Sequence, residues 1–217
     1  MLTGIGITVL TLLAIMLCVY MTCREEQSIS KLYILGITLE RKYVVILSVG
    51  LVCSIGVYCF QFYALENAFL KAFMDAAVAL WLIVLGYIDF KEKIIPNKMI
   101  SSGIVFWCVL SLLEIFVAKT SWKEVLVYSG AGGLVCGGIL LLVATVAKSA
   151  LGMGDVKLFF VLGLLYGVID TYSILLFTVF VMAIVSIVLL IAKKVTIKTA
   201  VPMAPFVIVG FLINIFM

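Results

Sequence analysis

Two short acidic motifs contain the residues of this chain that could do chemistry. Asp89 ends an apolar run and is followed by Ile95-Pro96-Asn97, whereas Gly152-Met153-Gly154-Asp155 lies in a break between two other apolar runs, shortly before Lys157. Two carboxylates at hydrogen-bonding distance resist ionising together and share a proton, which is the state that aspartic-type peptide hydrolysis uses. The ionised carboxylate takes a proton from water, and the protonated one donates to the scissile carbonyl oxygen.

The residue types that are missing narrow the chemistry further. The chain has no histidine and six cysteines, none of which form a C-x-x-C pair. The common serine and cysteine triads and the histidine-based zinc sites all need histidine, so they are excluded. We therefore expect neither a metal nor a cofactor, and the enzyme hypothesis is left with carboxylate chemistry. The net charge of +4 is small and gives no indication of nucleic-acid binding.

Each aspartate also has a purely structural explanation. Asp89 could anchor a helix end at a membrane interface, and Asp155 could cap the start of the next helix. Two details favour a functional role. Gly-x-Gly before Asp155 removes side chains beside the carboxylate, which would permit the close approach of an extended peptide. After Asp89, Pro96 breaks the chain and Asn97 is a good N-cap, which together give that segment a defined exit.

The elements that must position these residues are membrane helices. Hydrophobic residues make up 66% of the chain and the mean hydropathy is +1.37, a balance that no soluble domain has. The apolar runs are long, which favours a helical bundle over a barrel. We predict an all-α polytopic membrane protein, a single domain over residues 1–217 with about eight transmembrane helices. The predicted spans are Thr3–Thr22, Tyr43–Leu65, Leu70–Ile88, Ile100–Ala118, Val125–Ala147, Val156–Ile169, Tyr172–Ala192 and Ala200–Met217.

The basic residues orient these spans. Cytoplasmic loops of membrane proteins carry an excess of lysine and arginine. The odd-numbered loops hold most of the basic residues of this chain, which are Arg24, Lys31, Arg41, Lys42, Lys91, Lys93, Lys98, Lys148, Lys157, Lys193, Lys194 and Lys198. The odd loops are therefore predicted to be cytoplasmic, with both termini outside and with Asp89 and Asp155 on the cytoplasmic side. The longest loop, Cys23–Lys42, could hold a short interfacial helix at Ile29–Leu39.

Small residues concentrate in the fifth and sixth predicted spans. The fifth carries five glycines between Gly130 and Gly138, and the sixth contains Gly163-x-x-x-Gly167. Small residues let helix backbones approach closely in lipid. We therefore expect these two helices to pack tightly, which would hold the helix that follows Asp155.

A third motif completes a resemblance to a known family. Val201-Pro202-Met203-Ala204-Pro205-Phe206 precedes Gly210, and the three motifs in this order resemble the prepilin peptidases, which are membrane aspartic peptidases of the GxGD type. The resemblance covers the chain from about Ala72 to its end. It implies that Asp89 and Asp155 are the catalytic pair. It also implies substrate-binding or loop-shaping roles for Pro96, Asn97, Gly152, Gly154, Lys157, Pro202 and Pro205.

The resemblance also implies a substrate and a location. Such enzymes cut the basic leader from type IV prepilins or pseudopilins on the cytoplasmic side of the prokaryotic inner membrane, so the expected partners are a prepilin and the lipid bilayer. Large family members carry a cytoplasmic domain with C-x-x-C motifs after the first span, and many also N-methylate the product. Here that loop is short and lacks those motifs, which resembles the short forms that serve Tad-type pili. We therefore do not expect N-methylation.

Three other interpretations stay open at this point. A transporter or channel component would use Asp75 and Glu114, since ionisable residues within spans are functional candidates. Each also has a plainer role, with Asp75 paired to Lys71 one turn earlier and Glu114 reaching the interface. A non-catalytic pilus-assembly partner is the second alternative. A protease of the signal-peptide-peptidase type is the third, and the late Pro-x-x-Pro-Phe segment favours a prepilin peptidase over it.

Overall fold

The computed structural model describes residues 31–34, 37–64, 69–117, 121–146, 151–193 and 201–217. Within them the chain forms a two-stranded hairpin, six α-helices and a short π-helix at Phe60–Ala64 that continues the first α-helix. The elements are β1 (Lys31–Ile34), β2 (Ile37–Glu40), α1 (Arg41–Cys59), α2 (Phe69–Glu92), α3 (Asn97–Val117), α4 (Trp122–Val146), α5 (Met153–Ile191) and α6 (Ala204–Phe216).

The hairpin corrects one expectation. Strands β1 and β2 are antiparallel, with Ile34 opposite Ile37, where an interfacial helix over Ile29–Leu39 was predicted. The prediction is wrong for the residues of that stretch that form the strands, and Ile29 lies outside the described residues. The local sequence explains the difference, because β-branched and aromatic residues favour strands.

The helices agree with a membrane protein. By length and composition, four helical stretches among the described residues could cross a bilayer: Lys71–Glu92, Asn97–Phe116, Trp122–Val146 and Met153–Ile191. Two shorter apolar helices, Ser48–Tyr63 and Ala204–Phe216, accompany them. The predominantly helical, membrane-embedded character is therefore confirmed. The count of eight spans and the placement of the termini stay predictions, and the first predicted span lies outside the described residues.

The chain forms two compact units, of which the first ends at Tyr87 and the second is Ile88–Met217. In the first unit α1 packs closely on α2, since a Cβ added to Gly50 would lie 2.7 Å from Cδ1 of Leu80. Asp75 is 1% exposed within this unit. The second unit contains α3 to α6, together with the last turn of α2, and it holds every residue that the three motifs contribute.

Helix α5 is broken at Gly167, which has φ 71° and ψ −168°. A positive φ of this kind favours glycine, because it has no Cβ to clash. The break divides the element into helical segments over 153–166 and 168–191, where two separate spans with a boundary after Ile169 were predicted. A side chain of α4 supports the break, since the Tyr128 hydroxyl donates a 2.9 Å hydrogen bond to the carbonyl oxygen of Tyr166.

Helices α4 and α5 meet backbone to backbone, as the glycine pattern predicted. A Cβ built on Gly132 would collide with the carbonyl oxygen of Gly163, and one built on Gly163 would collide with the carbonyl of Gly132. Further along α4, a Cβ on Gly137 would lie 2.9 Å from the Phe160 ring. The contacts run in opposite directions along the two helices, so α4 is antiparallel to the first segment of α5.

Helix α6 packs on both segments of α5. The rings of Tyr166 and Phe211 meet edge to face at 5.5 Å, and Gly210 lies against the carbonyl of Ile174 with no room for a Cβ. The centre of this packing is fully buried and apolar, which makes it the core of the second unit. Its members with no exposed surface include Leu158, Phe159, Leu162, Ile174, Val207 and Phe211.

Candidate active site

Asp89 lies on the last turn of α2 and is only 5% exposed. The helix ends just after it, because Lys93 adopts a left-handed conformation with φ 53° and its N–H donates to the carbonyl oxygen of Asp89 at 2.8 Å. The carboxylate of Asp89 points away from this turn towards the start of α6. There its Oδ2 accepts a 3.0 Å hydrogen bond from the N–H of Ala204, and the N–H of Met203 also donates to the carboxylate.

The start of α6 explains why these two N–H groups are free to donate. The first N–H groups of a helix have no partner within the helix. In α6, Phe206 donates to the Met203 carbonyl at 2.9 Å, and Pro205 has no N–H at all. Met203 and Ala204 therefore supply the donors that remain at this end, and Asp89 accepts from both. A carboxylate on another helix thus acts as the cap of α6, whose own N-cap residue makes no side-chain cap.

Asp155 lies in the first turn of α5, where Gly152 is the N-cap in an extended conformation. The N–H of Asp155 donates to the Gly152 carbonyl at 3.0 Å, and the Asp155 carboxylate accepts from the N–H of Gly152. A Cβ on Gly152 would lie 3.0 Å from Oδ2 of Asp155. Gly152 therefore leaves space for the carboxylate of Asp155 itself.

Gly154 lies against the segment that follows Asp89. A Cβ at this position would lie 3.0 Å from Cβ of Ile95, which is itself 8% exposed. The glycine thus permits close approach by the segment that follows Asp89. This packing contact brings the two acidic motifs close together.

Asn97 makes a second contact between the motifs. The prediction that it is the N-cap of α3 is wrong, because the N–H of Ile100 donates to the carbonyl of Pro96, which makes Pro96 the N-cap and Asn97 the first helical residue. The Oδ1 of Asn97 accepts a 2.9 Å hydrogen bond from Nζ of Lys157. The charged ammonium group is a stronger donor than a neutral backbone N–H, which favours this partner. The first turn of α3 instead uses the carbonyl of Pro96, which accepts from Met99 at 3.0 Å.

The structure thus brings the two predicted aspartates into one neighbourhood within the second unit. The Asp89 carboxylate is near enough to act electrostatically on that of Asp155. Glu114 is not part of this group, since it lies 17 residues beyond Asn97 on α3, about 25 Å away along the helix axis. In the described part of the chain, no group of three or more His, Cys, Asp or Glu side chains could hold a metal ion.

One comparison with known proteins identifies the family. The model of the type IV leader peptidase family matches residues 76–187, just over half of the chain and a stretch that includes both aspartates. The chain belongs to the type IV leader peptidase family. No curated protein and no solved structure matches it. As a type IV leader peptidase family member it is a membrane-embedded peptidase that acts on a protein substrate.

The match to the type IV leader peptidase family ends before α6, so the residues at the start of α6 that contact Asp89 lie outside the matched stretch. Pro202 and Pro205 were expected to help form a substrate groove, whereas Pro205 lies in the first turn of a helix whose remaining N–H groups bind Asp89. The roles of Met203 and Ala204 were missed. A signal for them was present, because a Pro-x-x-Pro segment at a helix start leaves few N–H donors, and these need an acceptor.

Proposed function

We propose that this chain is an aspartic endopeptidase that removes the leader peptide of type IV, Tad-like prepilins or pseudopilins, with Asp89 and Asp155 as its catalytic pair. The observation that carries the proposal is the contact between the two acidic motifs, in which Ile95 lies against Gly154 and Lys157 binds Asn97. Two carboxyl groups held close together favour the state in which they share one proton, because they resist ionising together. That state supplies both the base and the acid of peptide hydrolysis.

The two carboxylates differ in their hydrogen bonding, and this difference suggests their roles. Asp89 accepts from two N–H groups at the start of α6, where the helix dipole also favours negative charge, whereas Asp155 accepts from Gly152. Hydrogen bonds of this kind stabilise the ionised form of a carboxylate. Asp89 is accordingly the base in the proposed mechanism, and Asp155 carries the shared proton.

The chemistry then follows in two steps. Asp89 removes a proton from water while the water oxygen bonds to the scissile carbonyl carbon, and Asp155 gives its proton to the carbonyl oxygen. In the second step the carbon–nitrogen bond breaks, Asp89 passes its proton to the leaving amine, and the new carboxyl group returns a proton to Asp155. Proton transfers between the two acids and the peptide thus complete hydrolysis.

The side of the membrane and the substrate rest on the sequence. The basic residues near both aspartates, among them Lys91, Lys93 and Lys157, support a site on the cytoplasmic side of the membrane. The resemblance of the motifs to those of prepilin peptidases supports the inner membrane of a prokaryote. The order of the three motifs supports a prepilin substrate over the substrates of signal-peptide-peptidase relatives. The short first loop without C-x-x-C motifs supports cleavage without N-methylation.

The proposal is tested by co-expressing the chain with a prepilin encoded near its gene. The wild type should shorten the precursor, whereas Asp89→Asn and Asp155→Asn should leave it at full length, as seen on a gel and by mass spectrometry of its N-terminus. Glu114→Gln is the matched control, because it neutralises an acid of the same unit that lies far from the pair. Shortened precursor with both aspartate variants would disprove the catalytic assignment.

A further inference from the structure

Two exposed polar side chains connect the acidic motifs across 60 residues of sequence. Nζ of Lys157 donates to Oδ1 of Asn97 at 2.9 Å. Lys157 follows Asp155 by two residues on α5, and Asn97 follows the short segment that begins after Asp89 on α2. The hydrogen bond therefore ties the element that carries one aspartate to the exit of the element that carries the other.

The segment between Asp89 and Asn97 is short and held at several points. Its first turn is closed by the N–H of Lys93 on the Asp89 carbonyl, and Ile95 lies against Gly154, where an added Cβ would be 3.0 Å from Cβ of Ile95. The segment between Asp89 and Asn97 therefore has little freedom to move. A displacement at Asn97 would thus be passed back towards Asp89.

Lys157 is not placed to serve as a charge partner for Asp155. Residues two apart on a helix do not face each other, so the two side chains leave α5 in different directions. Its ammonium group is bonded to the amide of Asn97 instead. This geometry indicates an effect on the separation of the acids and none on the charge of either one.

We propose that Lys157 and Asn97 are positioning residues, and that their hydrogen bond is a clasp that holds Asp89 and Asp155 at a working separation. The inference rests on the proposed function. Like charges in a shared site favour separation, and an external link between their elements opposes it. The clasp acts through the backbone of the two motifs and does not touch the substrate.

A double-mutant cycle on the purified full chain tests the clasp, with kcat and KM measured on a prepilin-derived peptide. Lys157→Ala and Asn97→Ala should each lower kcat by about 10- to 100-fold with KM little changed, because misplacement of catalytic groups costs that much. The double variant should be no slower than the slower single variant, since both remove one interaction. Lys98→Ala, at the neighbouring exposed lysine of α3, should keep wild-type activity.

Conservative variants separate the clasp from a general loss of structure. Asn97→Asp keeps an acceptor for Lys157 and should keep most of the activity, as should Lys157→Arg. Independent losses that multiply in the double variant would overturn the proposal, and so would a loss that appears in KM, which would place Lys157 on the substrate. An Asp89→Asn variant measured in parallel distinguishes the failures: if it is inactive while the clasp variants are normal, only the clasp is wrong, and if it cleaves, the proposed function has failed.

Discussion

The carboxylate of Asp89 accepts a 3.0 Å hydrogen bond from the backbone N–H of Ala204, which lies 115 residues further along the chain. The bond links the end of α2 to the start of α6 and is buried, with Ala204 fully inaccessible and Asp89 5% exposed. Asp89 therefore has a structural task, the capping of α6, as well as the chemical one proposed for it.

This double task predicts that two substitutions at Asp89 differ in stability but not in activity. Asp89→Ala removes the acceptor for the N–H groups of Met203 and Ala204 and should destabilise the protein by about 1–3 kcal/mol. Asp89→Asn keeps an acceptor oxygen, so it should cost less. Both variants should be inactive. Thermal unfolding of the purified protein in detergent measures the difference, and equal melting temperatures for the two variants would show that Asp89 does not cap α6.

The backbone contact between α4 and α5 predicts a position-specific glycine effect. Gly132→Ala would push its Cβ into the carbonyl of Gly163 and should destabilise the protein by about 1–3 kcal/mol. Gly130→Ala is the matched control, because a Cβ there meets nothing within 4 Å, and alanine has the higher helix propensity. It should be neutral or slightly stabilising. Thermal unfolding compares the two variants, and a similar loss at both positions would contradict the close contact.

The break in α5 predicts a role for a single hydroxyl group. Tyr128→Phe removes the donor to the Tyr166 carbonyl beside Gly167 and should lower stability by about 1 kcal/mol. Tyr172→Phe removes the hydroxyl of an exposed tyrosine on α5 and serves as the control, with no expected change. Denaturation of both variants under the same conditions provides the comparison. Indistinguishable unfolding of the two would argue against support of the break by Tyr128.

We predict that substitutions of Gly152 affect activity more than stability. A Cβ there would lie 3.0 Å from Oδ2 of Asp155, so Gly152→Ala should displace the carboxylate slightly and lower kcat by about 10-fold. Gly152→Val should lower kcat more, because a larger side chain crowds the carboxylate further. Gly138→Ala, where an added Cβ meets nothing within 4 Å, should leave kcat unchanged. Full activity in Gly152→Val would remove the steric argument.

Much of the fold was predictable because the apolar runs are long. The third, fourth and fifth predicted spans correspond to α2, α3 and α4, with ends that differ by a few residues. The tight contact of α4 with α5 followed from their glycines, since a missing side chain on both partners has few other uses in a helix. The hairpin was mispredicted because the apolar content of a short stretch cannot distinguish a helix from a strand.

The candidate site was predictable only in part. The motifs selected Asp89 and Asp155, and the distribution of lysine and arginine assigned both to one side of the membrane, which stays a prediction. The partners of the site residues were not predictable. Asn97 matched the pattern of a helix cap, yet Lys157 binds its side chain, and the N–H groups that bind Asp89 belong to a distant helix. Such long-range contacts depend on how the helices pack, and a local sequence pattern does not encode that packing.

The packing of α6 on α5 gives the two acids a common reference. Asp155 is part of α5 itself, and the Asp89 carboxylate is held by α6, whose Gly210 and Phe211 rest on α5. Both carboxylates are therefore positioned relative to α5, although the two acids come from different regions of the sequence.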